Sequence, residues 1–357
     1  LKKNELPEQV RQAISAGTVI PAIPLALNRK REYDPRRQRA LIRYYIDAGA
    51  GGIAVGVHTT QFEIRDAKYR LFEPVLSTVS GMIDDFAGRR GRTVVKIGGI
   101  CGRTDQALRE ARFLADHGFH AGLLSMSALA QDPADVLVEH AKAAAAVLPI
   151  FGFYLQPSVG GRVLSYEFWE KFAAIDNVIG IKIAPFNRYQ TLDVVRAVCA
   201  AGREKEIALY TGNDDHIVLD LLTEYRVRTP PGDRRVRIVG GLLGQWSVWT
   251  KKAAELHEQA RRISRAGDPV PQRLLTYAEE LTDANAVIFD AAHGFAGCIP
   301  GIHEVLRRQG LLEGNWCLNP EEVLSPGQSE EIDRICRSYP HLTDDEFVKA
   351  NLPGWLV

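Results

Sequence analysis

No run in the 357 residues stays apolar long enough to cross a membrane. An excess of one charge is missing too: 44 basic and 44 acidic side chains give a formal net charge of +0. That balance supplies no electrostatic pull toward nucleic acid or an anionic membrane, so neither is expected as a partner. Cysteine is sparse, and Cys101, Cys199, Cys298, Cys317 and Cys336 are scattered without a CxxC pair. Neither a disulfide framework nor a zinc site is expected, and a reducing cytoplasm is the expected setting. The opening LKKNELPEQVRQ lacks a secretory apolar core, and a start at Leu reads as trimmed. No GxGxxG follows the first apolar run, which weighs against a doubly wound dinucleotide-binding sheet.

What is present is a repeat of short apolar runs and longer amphipathic stretches. Eight runs read as strands: 18–27, 51–58, 93–100, 121–127, 149–157, 177–185, 206–214 and 236–244. Between them lie helical patterns such as 34–50, opened by Asp34-Pro35 and closed by glycine, and 105–118 and 133–148. Alternating β and α elements with apolar strands imply a parallel sheet covered by helices, and eight repeats fit a (β/α)8 TIM barrel. The barrel is expected over 1–250 and a C-terminal helical extension over 251–357. RTPPGDRR (228–235) reads as an exposed loop.

Within NVIGIKIAP (177–185), Lys182 stands among isoleucines. Strand alternation puts Ile179, Ile181 and Ile183 on one face and Gly180, Lys182 and Ala184 on the other. If the isoleucines meet the helices, Lys182 points into the barrel near the C-terminal end of its strand, where barrel active sites lie. The same alternation in PIFGFYLQP puts Tyr154 with Gly152, opposite Phe151 and Phe153, so Tyr154 and Lys182 are expected to project into one pocket. A buried ammonium is costly, so an apolar site favours the neutral, nucleophilic amine. The alternative is a lysine ending its strand in solvent, and Lys96 in TVVKIGG is a second lysine in an apolar strand.

YLQP (154–157), GIK (180–182), the 28-residue spacing of Tyr154 and Lys182, and TGND (211–214) together resemble the dihydrodipicolinate synthase/N-acetylneuraminate lyase family. YLQPSVGGRVLS is closer to the lyase branch of that family. The resemblance implies a Schiff-base class I aldolase-type barrel acting on a pyruvate-type 2-oxo acid, with no organic cofactor or metal. It implies Lys182 as the imine-forming residue and Tyr154 as the proton shuttle. It also implies a homo-oligomer, a tetramer or dimer.

The chain departs from the family after its second strand. GVHTTQFE (56–63) places His58 and Thr59 where the hydroxyl pair usually lies, and Thr60 and Gln61 where Gly-Glu does. Ile183 follows the lysine where the synthases have an acid, and the tyrosine pair after strand four is missing. These changes argue against dihydrodipicolinate synthase itself.

The turn at His58, Thr59 and Thr60 can offer N–H groups and hydroxyls to a carboxylate. Asp214 and Asp215 are candidates for substrate hydroxyls or for a helix cap. Arg162 is a candidate for a second carboxylate or a surface residue. Gly240 and Gly241 either admit substrate or relieve crowding. The expectation is a lyase performing aldol cleavage or dehydration of a 2-oxo or 3-deoxy sugar acid. The alternatives are a synthase-like condensation of pyruvate with an aldehyde, a metal-dependent barrel using His58, Asp214 and His216, and a non-catalytic 2-oxo acid sensor.

Overall fold

The computed structural model describes residues 1–230 and 232–357. Its strands are β1 (Val19–Pro21), β2 (Gly52–Val55), β3 (Val95–Ile100), β4 (Ala121–Leu124) and β5 (Ile150–Leu155). They continue as β6 (Val178–Ala184), β7 (Ala208–Thr211), β8 (Glu224–Thr229) and β9 (Gly232–Leu243). All but β8 fall within the eight expected runs or, for β9, overlap the last. With helices between them they are the repeats of a (β/α)8 barrel, and helices alone follow residue 250. Among the described residues no helix is long and apolar enough to cross a membrane.

The helix starts follow local chemistry. Pro35–Ala48 begins where Asp34 accepts from the N–H groups of Arg36 and Arg37, and it ends at Gly49 with φ 112°. The helices expected at 105–118 and 133–148 are Thr104–Asp116 and Ala134–Val147. β1 is the shortest match to its expected run; Pro21 and Pro24 have no N–H to continue a ladder.

The chain divides into two compact units. The first comprises residues 1–18, 95–242 and 260–268. In it β3, β4, β5, β6, β7 and β9 pair in that order, all parallel. Strands β3 to β7 are buried along their whole length, which fits their near-continuous apolar sequence. β8 runs antiparallel to β9 from Glu224↔Arg237 to Thr229↔Gly232. The loop expected at 228–235 is therefore mostly strand, with Pro231 outside the described residues. Tyr225 and Val227 alternate there with Arg226 and Arg228, a two-residue period that a charged hairpin satisfies.

The second unit comprises 19–94, 243–259 and 269–357. In it β1 and β2 run parallel, bridged at Ala22↔Ala54, with the Ile23 N–H donating to Ala54 O at 2.9 Å. The last helix, Asp345–Trp355, is bound to Pro35–Ala48 by the Trp355 indole N–H, which donates to Asp47 at 2.8 Å.

Candidate active site

Lys182 lies two residues before the end of β6 and is 8% exposed. Its partner on β5 is Phe153 and its partner on β7 is Tyr210. Paired residues of parallel strands share a face, and the side-chain nitrogen sits 4.4 Å from the centre of the Phe153 ring. A Cβ on Gly212 would come within 2.7 Å of Lys182 Cε and 2.8 Å of Ala184 Cβ. Glycine at 212 thus leaves room for the lysine stem, and Lys182 and Ala184 share a face as expected. A Cβ on Gly180 would strike the Phe151 ring at 2.4 Å, which puts Phe151 on the same face.

Tyr154 does not join Lys182. It pairs with Ile183, and its ring packs 5.2 Å from Trp169 of the helix Tyr166–Ala173. A Cβ on Gly152, two residues before, would meet Phe172 and Trp169 of that helix. Its hydroxyl donates to Leu164 O and accepts from the Leu164 N–H, both at 3.1 Å, and the side chain is fully buried. Burial raises its pKa above the ordinary phenol value, against the Leu164 hydrogen bond. The expectation of one shared pocket is corrected by a register shift. Ile150 pairs with Val178 but Phe151 pairs with Gly180, so Ile179 is an extra residue in β6. In an unshifted ladder, with Ile179 opposite Phe151, Tyr154 would pair with Lys182; the shift moves every later residue of β5 one place along β6.

Lys96 also lies apart from this face. A Cβ on Gly98, two residues on, would run into Leu114 of the helix Thr104–Asp116, so the Lys96 side of β3 meets helices. Its amine lies 3.3 Å from where a Cβ on Gly118 would stand.

Asp214 and Asp215 follow Gly212 by two and three residues and precede the cap position of the next helix. The cap position of Ile217–Leu222 is His216. Arg162 donates to the carbonyls of Leu129 at 2.9 Å and Asp132 at 2.8 Å, so it braces the segment after β4. Gly240 pairs with Tyr210, and a Cβ there would meet the Thr18 backbone at 2.5 Å and the Tyr210 ring at 2.8 Å. Gly241 donates its N–H to Thr18 O at 3.3 Å. For Gly240 this is the crowding reading; the added atom would meet protein.

In the second unit, His58–Thr60 forms a short 3-10 turn after β2. The Thr60 hydroxyl accepts from the Gly56 N–H at 3.0 Å and donates to Ile23 O at 2.8 Å. The Thr60 N–H goes to Val57 O and the Gln61 N–H to His58 O. Thr60 thus builds the turn, with its hydroxyl engaged to Gly56 and Ile23. Thr59 is 3% exposed, and its hydroxyl oxygen lies 3.5 Å from where a Cβ on Gly244 would stand, the Phe289 ring being 3.2 Å from the same point. The His58 ring lies 5.8 Å from the Phe62 ring. Gln61 has φ 70°, a region that favours glycine, and its side-chain oxygen accepts from the Leu318 N–H at 2.6 Å.

Among the described residues no group of three or more His, Cys, Asp or Glu side chains is arranged to hold a metal ion. Sequence reasoning missed Phe153, Gly212 and Asn213. Alternation within β5 alone puts Phe153 on the face opposite the one it shares with Lys182, and the glycine of TGND is the clearance for the lysine stem.

A parallel β/α barrel with a buried lysine on an inner strand face is the framework of a class I aldolase-type enzyme. The model of the dihydrodipicolinate synthetase family matches residues 15–224, and the chain belongs to that family. A 4-hydroxy-tetrahydrodipicolinate synthase of Nostoc sp. is 31% identical over 161 residues, covering 44% of this chain and 49% of that protein. That match thus spans about half of the relative's length. A protein of the same name from Alcanivorax borkumensis is 24% identical over 288 residues, 78% of this chain and 93% of that one. Solved structures share the fold. The dihydrodipicolinate synthase of Acinetobacter baumannii complexed with pyruvate superposes with TM-score 0.71 at 18% identity, covering 91% of this chain and 99% of that one. CdNal from Clostridium difficile in complex with mannosamine gives 0.70 at 14% identity, covering 90% and 99%.

Proposed function

We propose that the protein is a Schiff-base lyase acting on a pyruvate-type 2-oxo acid, by aldol cleavage or by dehydration of a 2-keto-3-deoxy sugar acid. The observation that carries this is Lys182, buried on the inner face of β6 with its amine over the Phe153 ring. The neutral amine adds to the C2 ketone, and loss of water gives a protonated imine. In aldol cleavage the C4 hydroxyl gives up its proton, the C3–C4 electron pair moves into that cation, and the aldehyde departs to leave an enamine, which is then protonated at C3. In dehydration the cation instead promotes loss of a C3 proton, and the resulting enamine expels the C4 hydroxyl as water to leave a conjugated imine. Hydrolysis of the imine returns the lysine in either case. An aromatic face next to the nitrogen favours the cationic imine.

The tyrosine's part is indirect in this reading. Its hydroxyl is taken up by Leu164, so it shapes the 156–165 segment next to the lysine strand. Asp214, two residues beyond Gly212, is the candidate in this reading for hydroxyls on the distal part of a substrate. The lyase reading over a synthase rests on YLQPSVGGRVLS, on Ile183 and on the missing tyrosine pair after β4. The family's habit supports a homo-oligomer, although a monomeric dihydrodipicolinate synthase variant is among the similar structures (TM-score 0.69, 18% identity, 92% of this chain and 98% of that one).

The test is intact mass after incubation with pyruvate and borohydride, which reduces the imine to a stable secondary amine. Wild type and Lys96→Ala are expected to gain the adduct, and Lys182→Ala is not. No adduct with pyruvate or with larger 2-oxo acids would refute the reading. Turnover of a 2-keto-3-deoxy sugar acid, against condensation of pyruvate with an aldehyde, separates lyase from synthase.

A further inference from the structure

Asp220, in the helix Ile217–Leu222, is fully buried. One carboxylate oxygen pairs with Arg188 at 2.5 Å. The other accepts from the Thr211 hydroxyl at 2.6 Å and from the Asn213 amide at 3.1 Å. A buried carboxylate needs partners of this kind, and here they come from the two connections that follow β6 and β7, from Arg188 at the start of the helix Arg188–Ala200 and from Thr211 and Asn213 at the end of β7. Asn213 is the link between them. Its side-chain oxygen accepts from the Phe186 N–H at 3.0 Å, its amide also reaches Thr191 Oγ1 at 3.4 Å, and its own N–H donates to Thr211 Oγ1 at 3.1 Å.

Both connections adjoin the lysine. Phe186 lies two residues past the end of β6 and holds φ 52°, a left-handed conformation that a residue with a Cβ adopts at a cost unless its N–H is held. Gly212, between Thr211 and Asn213, donates its N–H to Ile183 O at 2.7 Å and carries the Lys182 stem against its Cα. The Asp220–Asn213 cluster thus fixes the exit of the lysine strand from one side and the surface beneath the lysine from the other.

We propose that Asn213 is a positioning residue for Lys182, holding the β6 exit at Phe186 and the Gly212 seat in one geometry through buried Asp220. The inference rests on the Schiff-base reading above and adds a residue to it. Asn213 does not touch the reacting atoms; it acts through Gly212 and Phe186.

The experiment follows borohydride trapping with pyruvate as a rate, over a range of pyruvate concentrations, in wild type, Asn213→Ala and Thr211→Val. The limiting trapping rate is expected to fall roughly tenfold or more in both variants, because small misplacements of a reacting group are costly. The half-saturating pyruvate concentration is expected to stay within about twofold, and the final adduct to approach that of wild type. If Asn213→Ala fails to fold, Thr211→Val alone decides the matter. Folded variants with an unchanged limiting rate, or with fewer competent molecules reacting at the wild-type rate, overturn the proposal. A wild-type chain that forms no adduct overturns the Schiff-base reading itself, before the variants are compared.

Discussion

Phe153, not Tyr154, stands across from Lys182, and its ring centre is 4.4 Å from the lysine nitrogen. In the proposed chemistry the resting amine is neutral and only the imine carries charge, so the ring favours the product of imine formation. Phe153→Leu is expected to lower imine occupancy at sub-saturating pyruvate by about 2- to 30-fold, from ~0.5–2 kcal/mol of cation–ring attraction. Phe153→Tyr keeps the face and is expected to retain most of the occupancy. Titration of trapped adduct against pyruvate reads both; a Leu variant equal to wild type would remove the ring from the account.

Tyr154→Phe separates a proton shuttle from a loop anchor. The phenol here makes two hydrogen bonds to Leu164 and none is aimed at the lysine face. Its loss is expected to cost about 1–2 kcal/mol of stability, with the Leu164 backbone left partly unsatisfied. Adduct formation is expected to continue within roughly tenfold of the wild-type rate, whereas loss of a positioned general acid–base group would cost about 10²–10⁴-fold. A folded Tyr154→Phe protein slowed by the larger factor would restore the shuttle role.

Much of this was legible in the residues, and the failures share a cause. The eight strands announce themselves because buried parallel strands are continuous apolar runs. Alternation along β6 puts Lys182 on the face of Gly180 and Ala184, opposite the isoleucines, and the clearance at Gly212 agrees for Lys182 and Ala184. Alternation within one strand, however, says nothing about register between two, and the extra Ile179 in β6 reverses the relation of Tyr154 to Lys182. The hairpin β8–β9 was hidden by its arginines and its Pro-Pro pair, which carry loop signals although Tyr225 and Val227 alternate as a strand. Asp220 reads as one acid in a short helix; only the fold brings Thr211, Asn213 and Arg188 to it.

Acid sensitivity is expected from His303, in the helix Cys298–Arg308, which is fully buried. Its Nδ1 lies 3.0 Å from Trp316 O, an acceptor, so the proton of the neutral ring sits there. Burial pushes its pKa down to about 4 from 6.5, against its backbone hydrogen bonds. Between those values the unfolded chain binds the proton and the folded chain does not. The stabilisation is therefore full above pH ~6.5 and is lost as pH falls toward ~4, by about 3 kcal/mol. Denaturant midpoints from pH 7.5 to 4.5 should fall more steeply in wild type than in His303→Gln; parallel slopes would refute the assignment.

Within the second unit, a buried carboxylate ties the last helix to Pro35–Ala48 alongside the Trp355–Asp47 bond. Asp344, 4% exposed, accepts from the Tyr44 hydroxyl at 2.8 Å, the Lys251 N–H at 3.1 Å and the Gln309 amide at 2.8 Å. Tyr44 in turn accepts from the Thr250 N–H at 2.8 Å, so the chain of bonds joins Pro35–Ala48 to the segment opening at Thr250 and to the last helix. Asp344→Ala strips three donors of their acceptor in a dry site and is expected to cost about 2 kcal/mol or more. Asp344→Asn keeps an acceptor oxygen and is expected to lose less. Because Lys182 lies in the other unit, the trapped adduct per folded molecule should stay at the wild-type level in both variants. Thermal unfolding measured beside adduct stoichiometry checks this, and an Ala variant as stable as wild type would show that the clamp carries little of the extension's stability.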